Sequence, residues 1–126
     1  MNVCGWPVVS SKAKGVFESS CINGVEFLPI RIVDISGTHI NNNDYYLLYT
    51  SNFIDAYDMD KSDYRYIERY NIYSFNPMKI VFDDNACKKF DIFRCIKDIT
   101  PLYISSRLHD IIIMNQLTGF DYVAMT

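Results

Sequence analysis

Apolar and polar residues along this chain follow two periods, one typical of short helices and one typical of strands. After a serine pair near each end, apolar residues recur at i, i+3 and i+4, which predicts an amphipathic helix of about ten residues. These apolar positions are Ala13, Val16 and Phe17 near the start, and Leu108, Ile111 and Ile112 near the end. Between the two helices the pattern is mostly that of β-strands.

The two helical segments belong to an internal repeat with a constant offset of 95 residues. Residues 8–12 correspond to 103–107, and residues 22–27 correspond to 117–122. In each copy a strand ends at the serines, a serine hydroxyl caps the helix, and a glycine precedes a second strand. Two copies are too few for a solenoid. The repeat therefore predicts one strand–helix–strand unit that is used twice.

The chain between the two copies supplies the rest of a sheet. Alternating or continuous apolar runs bounded by turn residues predict five strands and a hairpin. The strands are predicted over residues 25–34, 45–50, 52–57, 78–82 and 90–96, and the hairpin over 64–73, with polar turns at 36–43 and 83–85. Few polar residues interrupt 45–50, so this strand is predicted to be central. We expect an α+β fold with a mainly antiparallel sheet and two short helices, in a single domain over residues 1–126.

The aromatic fraction of this chain is unusually high, whereas its hydrophobic and charged fractions are those of an ordinary globular protein. Hydrophobic residues make up 49% and charged residues 21% of the 126 residues, but aromatic residues make up 15%, with ten tyrosines. A buried tyrosine needs a partner for its hydroxyl, so a tyrosine-rich chain suits sheet faces and protein interfaces. A β-rich fold that uses sheet-forming residues explains the same content equally well.

Charge argues against nucleic acid as the main ligand, because phosphate binding needs a basic surface and the net charge is −3. The acidic residues are concentrated between Asp44 and Glu68, where six acids face two bases and give a net −4. A local acidic field can steer a basic protein partner. The alternative is a solvated acidic loop with no partner.

The cysteines and the N-terminus indicate a cytoplasmic protein with free thiols. The four cysteines form no C-x-x-C pair, and residues 1–12 lack a basic segment followed by an apolar run. No run of apolar residues approaches the length of a membrane helix. Cysteines that are not exported stay reduced. We therefore expect neither disulfides nor a membrane partner.

Motifs for catalysis, metal binding and cofactor binding are missing from the sequence. The histidines His39 and His109 are 70 residues apart and are not placed against a cysteine. Residues 58–62 begin like a calcium loop, but Asp63 replaces the glycine that such a loop requires at its sixth position. The single, scattered glycines exclude a phosphate loop. By elimination a binding role is favoured over an enzyme, with no cofactor and no metal.

Two residues stand out from their surroundings. Arg94 lies on the apolar face of a predicted strand, where its charge needs a carboxylate and further hydrogen bonds. We assign it a structural role, as a partly buried anchor for the acidic segment, with partner binding as the alternative. Ile113 projects about 100° beyond Ile112 and matches Glu18 in the first copy, so it is either covered by this chain or held ready for a second protein.

Several short blocks, in order and spacing, resemble the type-eleven immunity proteins of bacterial polymorphic toxin systems. The opening blocks are residues 9–12, 24–30 and 45–48, followed by 54–62, which resembles the family's I-D-x-x-D-x-x-x-S segment. Residues 92–94 resemble its Phe-Arg strand and 117–120 its closing block, so the resemblance covers residues 8–123. The family pattern has a further N-terminal segment, whereas this chain starts almost at the first block.

The resemblance implies a protein that protects its own cell by stoichiometric binding of a cognate toxin. Two other hypotheses remain open, a small enzyme with an unrecognised site and a self-associating adaptor that forms a homodimer. The acidic segment and its tyrosines are the predicted contact surface. The predicted partner-binding residues are Asp55, Tyr57, Asp58, Asp60, Asp63, Tyr64, Tyr66 and Ile113.

Overall fold

The computed structural model describes residues 6–31, 35–37 and 45–118, which form three helices and eight strands. The helices are α1 (Ser11–Ser19), α2 (Asp84–Cys87) and α3 (Ser106–Met114). The strands are β1 (Val8–Ser10), β2 (Val25–Ile30), β3 (Tyr45–Thr50), β4 (Phe53–Ile54), β5 (Tyr64–Ile67), β6 (Ile72–Phe75), β7 (Ile92–Cys95) and β8 (Asp98–Ile104). Short 3₁₀ turns occupy Glu68–Tyr70 and Pro77–Lys79.

The first sheet has the order β1-β3-β2, and both pairings are antiparallel. The predicted central position of β3 is confirmed, since its residues pair with β1 on one side and β2 on the other. Alternation along the strand turns Leu48 towards the core, where it is only 2% exposed. Residues 32–34 of the predicted longer second strand lie outside the described residues.

The second sheet has the order β4-β7-β8, with β4 and β7 parallel and β7 and β8 antiparallel. Asn52 joins the two sheets, because its side-chain amide donates to the carbonyls of Asn23 (3.3 Å) and Ile92 (3.0 Å). The Asn52 side chain fills the space beside Gly24, which has a φ of +76°, so any Cβ at this position would clash with it. Gly24 therefore serves both a left-handed turn and a close contact.

The two serine-capped helices are confirmed and end alike. The hydroxyls of Ser10 and Ser105 accept hydrogen bonds from the backbone amides of Ala13 (3.2 Å) and Leu108 (3.1 Å). After each helix one residue adopts a positive φ, 57° at Cys21 and 55° at Gln116, which are 95 positions apart. The last strand of the predicted second copy lies beyond the described residues, and the duplication stays a prediction.

Buried side chains form two clusters, and strand β7 contributes to both, Ile92 to the first and Phe93 and Cys95 to the second. The first cluster collects one face of α1, α3 and β3 around Phe17, Leu48 and Leu108. The second lies between the segment after β4 and the strands β7 and β8, and includes Ala56, Tyr57, Phe93 and Cys95. A fold of this class, α+β with mostly antiparallel sheets, is the one that the sequence predicted.

Two predictions are wrong in residues 78–85, between β6 and β7. The predicted strand 78–82 is a 3₁₀ turn followed by an isolated bridge between Phe82 and Tyr57. The predicted turn at 83–85 begins helix α2, because the Asp83 carboxylate caps the amides of Asn85 (3.0 Å) and Ala86 (3.2 Å). Of the apolar residues in 78–82, Ile80 and Phe82 pack against the second cluster, whereas Met78 is 89% exposed.

Candidate partner-binding surface

The acidic turn, residues 58–63, is built on the Asp58 side chain. One carboxylate oxygen of Asp58 accepts hydrogen bonds from the amides of Asp60 (3.1 Å) and Lys61 (3.3 Å). The nearly buried Ser62 hydroxyl accepts from the Val81 amide at 2.9 Å and donates to the Val81 carbonyl at 3.1 Å. These bonds fix the turn against the neighbouring chain, so its exposed acidic side chains project from a defined backbone.

The tyrosine hairpin, residues 64–75, follows the acidic turn directly. Tyr64 pairs with Phe75 and Tyr66 pairs with Tyr73, so the four rings share one face. Ring centroids lie 5.7 Å apart for Tyr64 and Phe75 and 5.0 Å apart for Tyr66 and Tyr73. The Tyr66 hydroxyl donates to the Asn71 side chain across the turn. Tyr64 and Tyr66 remain 40% and 45% exposed, which leaves rigid aromatic area open on the hairpin.

Tyr57 does not belong to this surface, and its assignment as a contact residue is corrected. Its side chain is only 4% exposed. Its hydroxyl donates to the Asp98 carboxylate at 2.9 Å and lies 2.6 Å from the Tyr103 hydroxyl. Burial, together with these hydrogen bonds, raises the pKa of Tyr57 above its ordinary value. Tyr57 is a core residue, and its ring, 4.8 Å from that of Phe75, connects the hairpin to the second cluster.

The remaining acidic residues are held by nearby polar groups. The Lys97 ammonium contacts both Asp55 carboxylate oxygens, at 2.9 and 3.1 Å, and this hydrogen-bonded pair raises the pKa of Lys97. The Asp63 carboxylate accepts a hydrogen bond from the Asn76 side chain at 3.2 Å. Exposed pairs of this kind contribute little to stability. They orient the carboxylates on the surface beside the tyrosine hairpin.

Sequence reasoning missed two further acidic residues, Asp83 and Asp84, at the start of α2. The Asp83 amide donates to the Ala56 carbonyl and the Asp58 amide donates to the Val81 carbonyl, at 2.8 and 2.7 Å. These two bonds bring the start of α2 beside the acidic turn. Only the tertiary pairing places the two acidic segments together, because they are far apart in the chain. The lysines Lys88 and Lys89 follow them and limit the local negative charge.

Arg94 is buried, with 5% exposure, but its contacts differ from the predicted anchor for the acidic segment. Its guanidinium donates to the backbone carbonyls of Ile99 (2.8 Å) and Thr100 (2.5 Å) in β8. It also lies over the Trp6 ring, 4.0 Å from the ring centroid. The cation that binds Asp55 is Lys97. Carbonyl oxygens on the neighbouring strand are closer to a mid-strand arginine than a distant loop carboxylate, and sequence pattern alone does not reveal them.

Ile113 lies on α3, which packs on the first cluster, whereas the tyrosine hairpin packs on the second. It is 57% exposed and is followed by Met114, which is 81% exposed. Ile112, one position earlier, is 1% exposed. The helix therefore divides its apolar residues between the core and the surface, and Ile113 belongs to a surface separate from the acidic turn.

The described residues offer little for catalysis. They contain no group of three or more His, Cys, Asp or Glu residues that could hold a metal ion. Burial, with a smaller contribution from Asp83 and Asp84, raises the pKa of the Cys87 thiol to about 11, whereas a nucleophilic cysteine needs a lowered pKa. An open groove of about 470 Å³ lies between α1 and β2, and the Lys14–Glu18 ion pair lines it. Glu26 also lines this groove.

Comparison with known families identifies the chain. The model of the immunity protein family (Imm11) matches residues 1–126, which is the whole sequence. The chain belongs to this immunity protein family. The resemblance predicted from short blocks is thereby confirmed. A search of curated proteins finds no match. Within the described ranges, no helix of this family member combines the length and apolar character needed to cross a membrane.

Proposed function

We propose that this immunity protein neutralises a cognate toxin by stoichiometric binding, through the acidic turn and the tyrosine hairpin. The match of the whole chain to an immunity protein family carries the proposal. The surface itself supports it, because Tyr64 and Tyr66 offer 40% and 45% of their area on a fixed ladder of rings. Tyrosine combines a large contact area with few rotatable bonds and is enriched among residues that dominate binding energy.

Charge gives the second argument for this surface. Asp60 and Asp63 are exposed beside Tyr64, and Asp83 and Asp84 lie on the adjoining segment. Acidic side chains around an aromatic patch attract a basic partner and increase its association rate. A toxin face rich in lysine and arginine would satisfy both the carboxylates and the tyrosine rings, since ammonium and guanidinium groups bind aromatic faces.

The test uses the C-terminal domain encoded by the gene immediately upstream, because a toxin and its immunity protein have to be inherited together. This upstream-encoded domain is expressed with and without the immunity protein, and growth and direct binding are measured. Protection that requires a one-to-one complex supports the proposal. Protection at strongly substoichiometric amounts would indicate turnover, and therefore an enzyme.

The acidic turn is tested by the triple replacement of Asp58, Asp60 and Asp63 by asparagine. Asparagine retains the acceptor oxygens that hold the turn, so only the charge is lost. We expect association with the upstream-encoded domain to slow by about 3- to 10-fold at low salt and to become less dependent on salt. The control is a triple variant with neutral replacements at Glu18, Glu26 and Asp110. It removes the same number of negative charges from α1, β2 and α3. Equal association rates for the two variants would remove the acidic turn from the surface.

A further inference from the structure

The outer edge of β5 has no neighbouring strand within the described ranges, since β5 and β6 form a two-stranded sheet. The Asn76 amide donates to the Asp63 carbonyl at 3.0 Å, just before the strand begins. Hydrogen-bonded and non-hydrogen-bonded pairs alternate along an antiparallel ladder. Arg65 and Ile67 therefore direct their peptide groups towards β6, whereas Tyr64 and Tyr66 direct theirs towards the open edge.

The edge lacks most of the features that usually block strand addition. Proteins protect exposed edges with proline, bulges or a covering segment. β5 contains no proline, its register with β6 is regular over all four pairs, and three of its four residues are exposed. Among the described residues, no hydrogen bond outside the hairpin is made by the peptide groups of Tyr64 or Tyr66. The edge is therefore open to pairing.

Arg65 decides what kind of strand can pair there. If two copies of β5 paired antiparallel through the open peptide groups, Tyr64 of each copy would lie opposite Tyr66 of the other. Arg65 would then lie directly opposite Arg65 of the second copy, and like charges in this position are destabilising. Arg65 has no ion pair with any described carboxylate. Self-pairing is disfavoured, and a strand with a carboxylate opposite Arg65 is favoured.

We infer that the partner of this immunity protein binds by adding an extended strand to the open edge of β5, with an acidic side chain opposite Arg65. Main-chain hydrogen bonds to Tyr64 and Tyr66 supply affinity, and alternate side chains supply specificity. On the other face, apolar or cationic side chains of the added strand pack on the Tyr64 and Tyr66 rings. The inference rests on the proposed function and specifies how the toxin is bound.

The first experiment compares Tyr66→Pro with Tyr66→Phe in binding to the upstream-encoded domain. Proline removes the outward amide of Tyr66 without removing a bond to β6, and edge strands tolerate it. We expect Tyr66→Pro to weaken binding by at least about 30-fold and Tyr66→Phe by less than about 3-fold. Equal binding of a folded Tyr66→Pro variant and the wild type would overturn the inference.

Amide hydrogen exchange of the wild-type protein tests the same edge without a substitution. In the free protein the amides of Tyr64 and Tyr66 should exchange quickly, and in the complex they should slow by at least about 10-fold. Unchanged exchange at both amides in a saturated complex would contradict strand addition. This measurement decides the question even if Tyr66→Pro does not fold.

Charge reversal tests the partner's acidic residue. Arg65→Glu should weaken binding by about 10-fold or more, because it places like charges opposite each other. Arg69→Glu is the matched control, since Arg69 lies in the 3₁₀ turn over the Tyr70 ring, outside the strand. Equal effects of both substitutions would assign only general electrostatics to Arg65. If the wild type does not bind the upstream-encoded domain, the proposed function fails and the inference falls with it, whereas binding without an edge effect overturns the inference alone.

Discussion

At the scale of single residues, the same side-chain type takes opposite roles according to its tertiary surroundings. Tyr57 and Tyr64 are seven positions apart in the acidic, tyrosine-rich segment, yet one is 4% exposed and the other 40%. The Tyr57 hydroxyl has two partly buried partners, Asp98 and Tyr103, which come from β8. Their difference provides a direct test of which tyrosines stabilise the fold and which bind a partner.

Tyr57→Phe should lower the free energy of unfolding by about 1–2 kcal/mol, because it leaves the partly buried Tyr103 hydroxyl and Asp98 carboxylate with one bond fewer. Tyr64→Phe should change it by less than about 0.5 kcal/mol, because its hydroxyl lies at the surface. Urea unfolding measures both values. A Tyr57→Phe variant as stable as the wild type would show that water replaces the lost bonds.

Arg94→Ala should lower the free energy of unfolding by about 2–4 kcal/mol, since the carbonyls of Ile99 and Thr100 lose a charged donor and Trp6 loses its stacked cation. Arg69→Ala, at an exposed cation–π contact, is the control and should cost less than about 1 kcal/mol. Denaturant unfolding of the two variants gives the comparison. Similar small losses at both sites would mean that solvent reaches the Arg94 guanidinium.

At the scale of elements, the two terminal helices are capped alike but are embedded differently. Both Ser10 and Ser105 cap their helices, but the Ser105 hydroxyl also donates to the Asp91 carboxylate at 2.7 Å. Arg107 binds the same carboxylate and donates to the Ser20 carbonyl at 2.7 Å. The start of α3 is therefore tied to the end of α1.

Ser10→Ala should cost about 1 kcal/mol of stability, the usual contribution of a helix N-cap. Ser105→Ala should cost about 1–2 kcal/mol, because the Asp91 carboxylate also loses a hydrogen bond. Ser106→Ala, on the exposed first position of α3, controls for the change in helix propensity. Thermal and urea unfolding give the ranking, and a cost at Ser10 that exceeds the cost at Ser105 would contradict it.

Ile113→Glu and Ile112→Glu separate the surface and the core of α3. Ile113 is 57% exposed, so Ile113→Glu should fold with a stability within about 1 kcal/mol of the wild type. Ile112→Glu buries a charge and should unfold the protein or cost more than about 4 kcal/mol. Sizing and protection assays on Ile113→Glu then report a homodimer or toxin contact. Normal assembly and protection would make Ile113 an ordinary exposed residue.

For the whole molecule, titratable groups of the second cluster make the free energy of unfolding decrease at alkaline pH. Burial raises the pKa of Tyr57 and Tyr103, and raises that of the Cys87 thiol to about 11. The unfolded chain loses these protons at lower pH, so it binds fewer protons than the folded chain between the two values. Stability is therefore complete below the unfolded pKa values and is lost as the pH rises through the folded ones.

We expect the free energy of unfolding to fall as the pH rises above about 9. At this pH the Cys87 thiol ionises in the unfolded chain but stays protonated in the folded one. Cys87→Ala should reduce this dependence. Urea unfolding at several pH values between about 7.5 and about 10.5, on both sides of the pH at which the unfolded thiol ionises, gives the slopes. Equal slopes for Cys87→Ala and the wild type would show that Cys87 does not contribute.

Elements whose cause is local could be predicted from the pattern of residues along the chain. A serine cap followed by apolar residues three, six and seven positions later predicts the two capped helices, because the cap and the apolar stripe lie within about two turns of chain. The nearly uninterrupted apolar run of residues 45–50 predicts a central strand. In the structure this strand, β3, is paired on both edges. The short blocks between Val9 and Phe120 predicted the family, which the match over residues 1–126 then showed.

Burial and hydrogen bonding between distant segments follow only from the tertiary structure. Tyr57 can be buried because β8 supplies partners for its hydroxyl. Arg94 can be buried in β7 because backbone carbonyls of β8 accept hydrogen bonds from its guanidinium. The acidic turn is joined by Asp83 because two distant segments exchange backbone bonds. Alternation specifies which side chains share a face, but burial and hydrogen bonding of that face depend on its long-range neighbours, which no local pattern encodes.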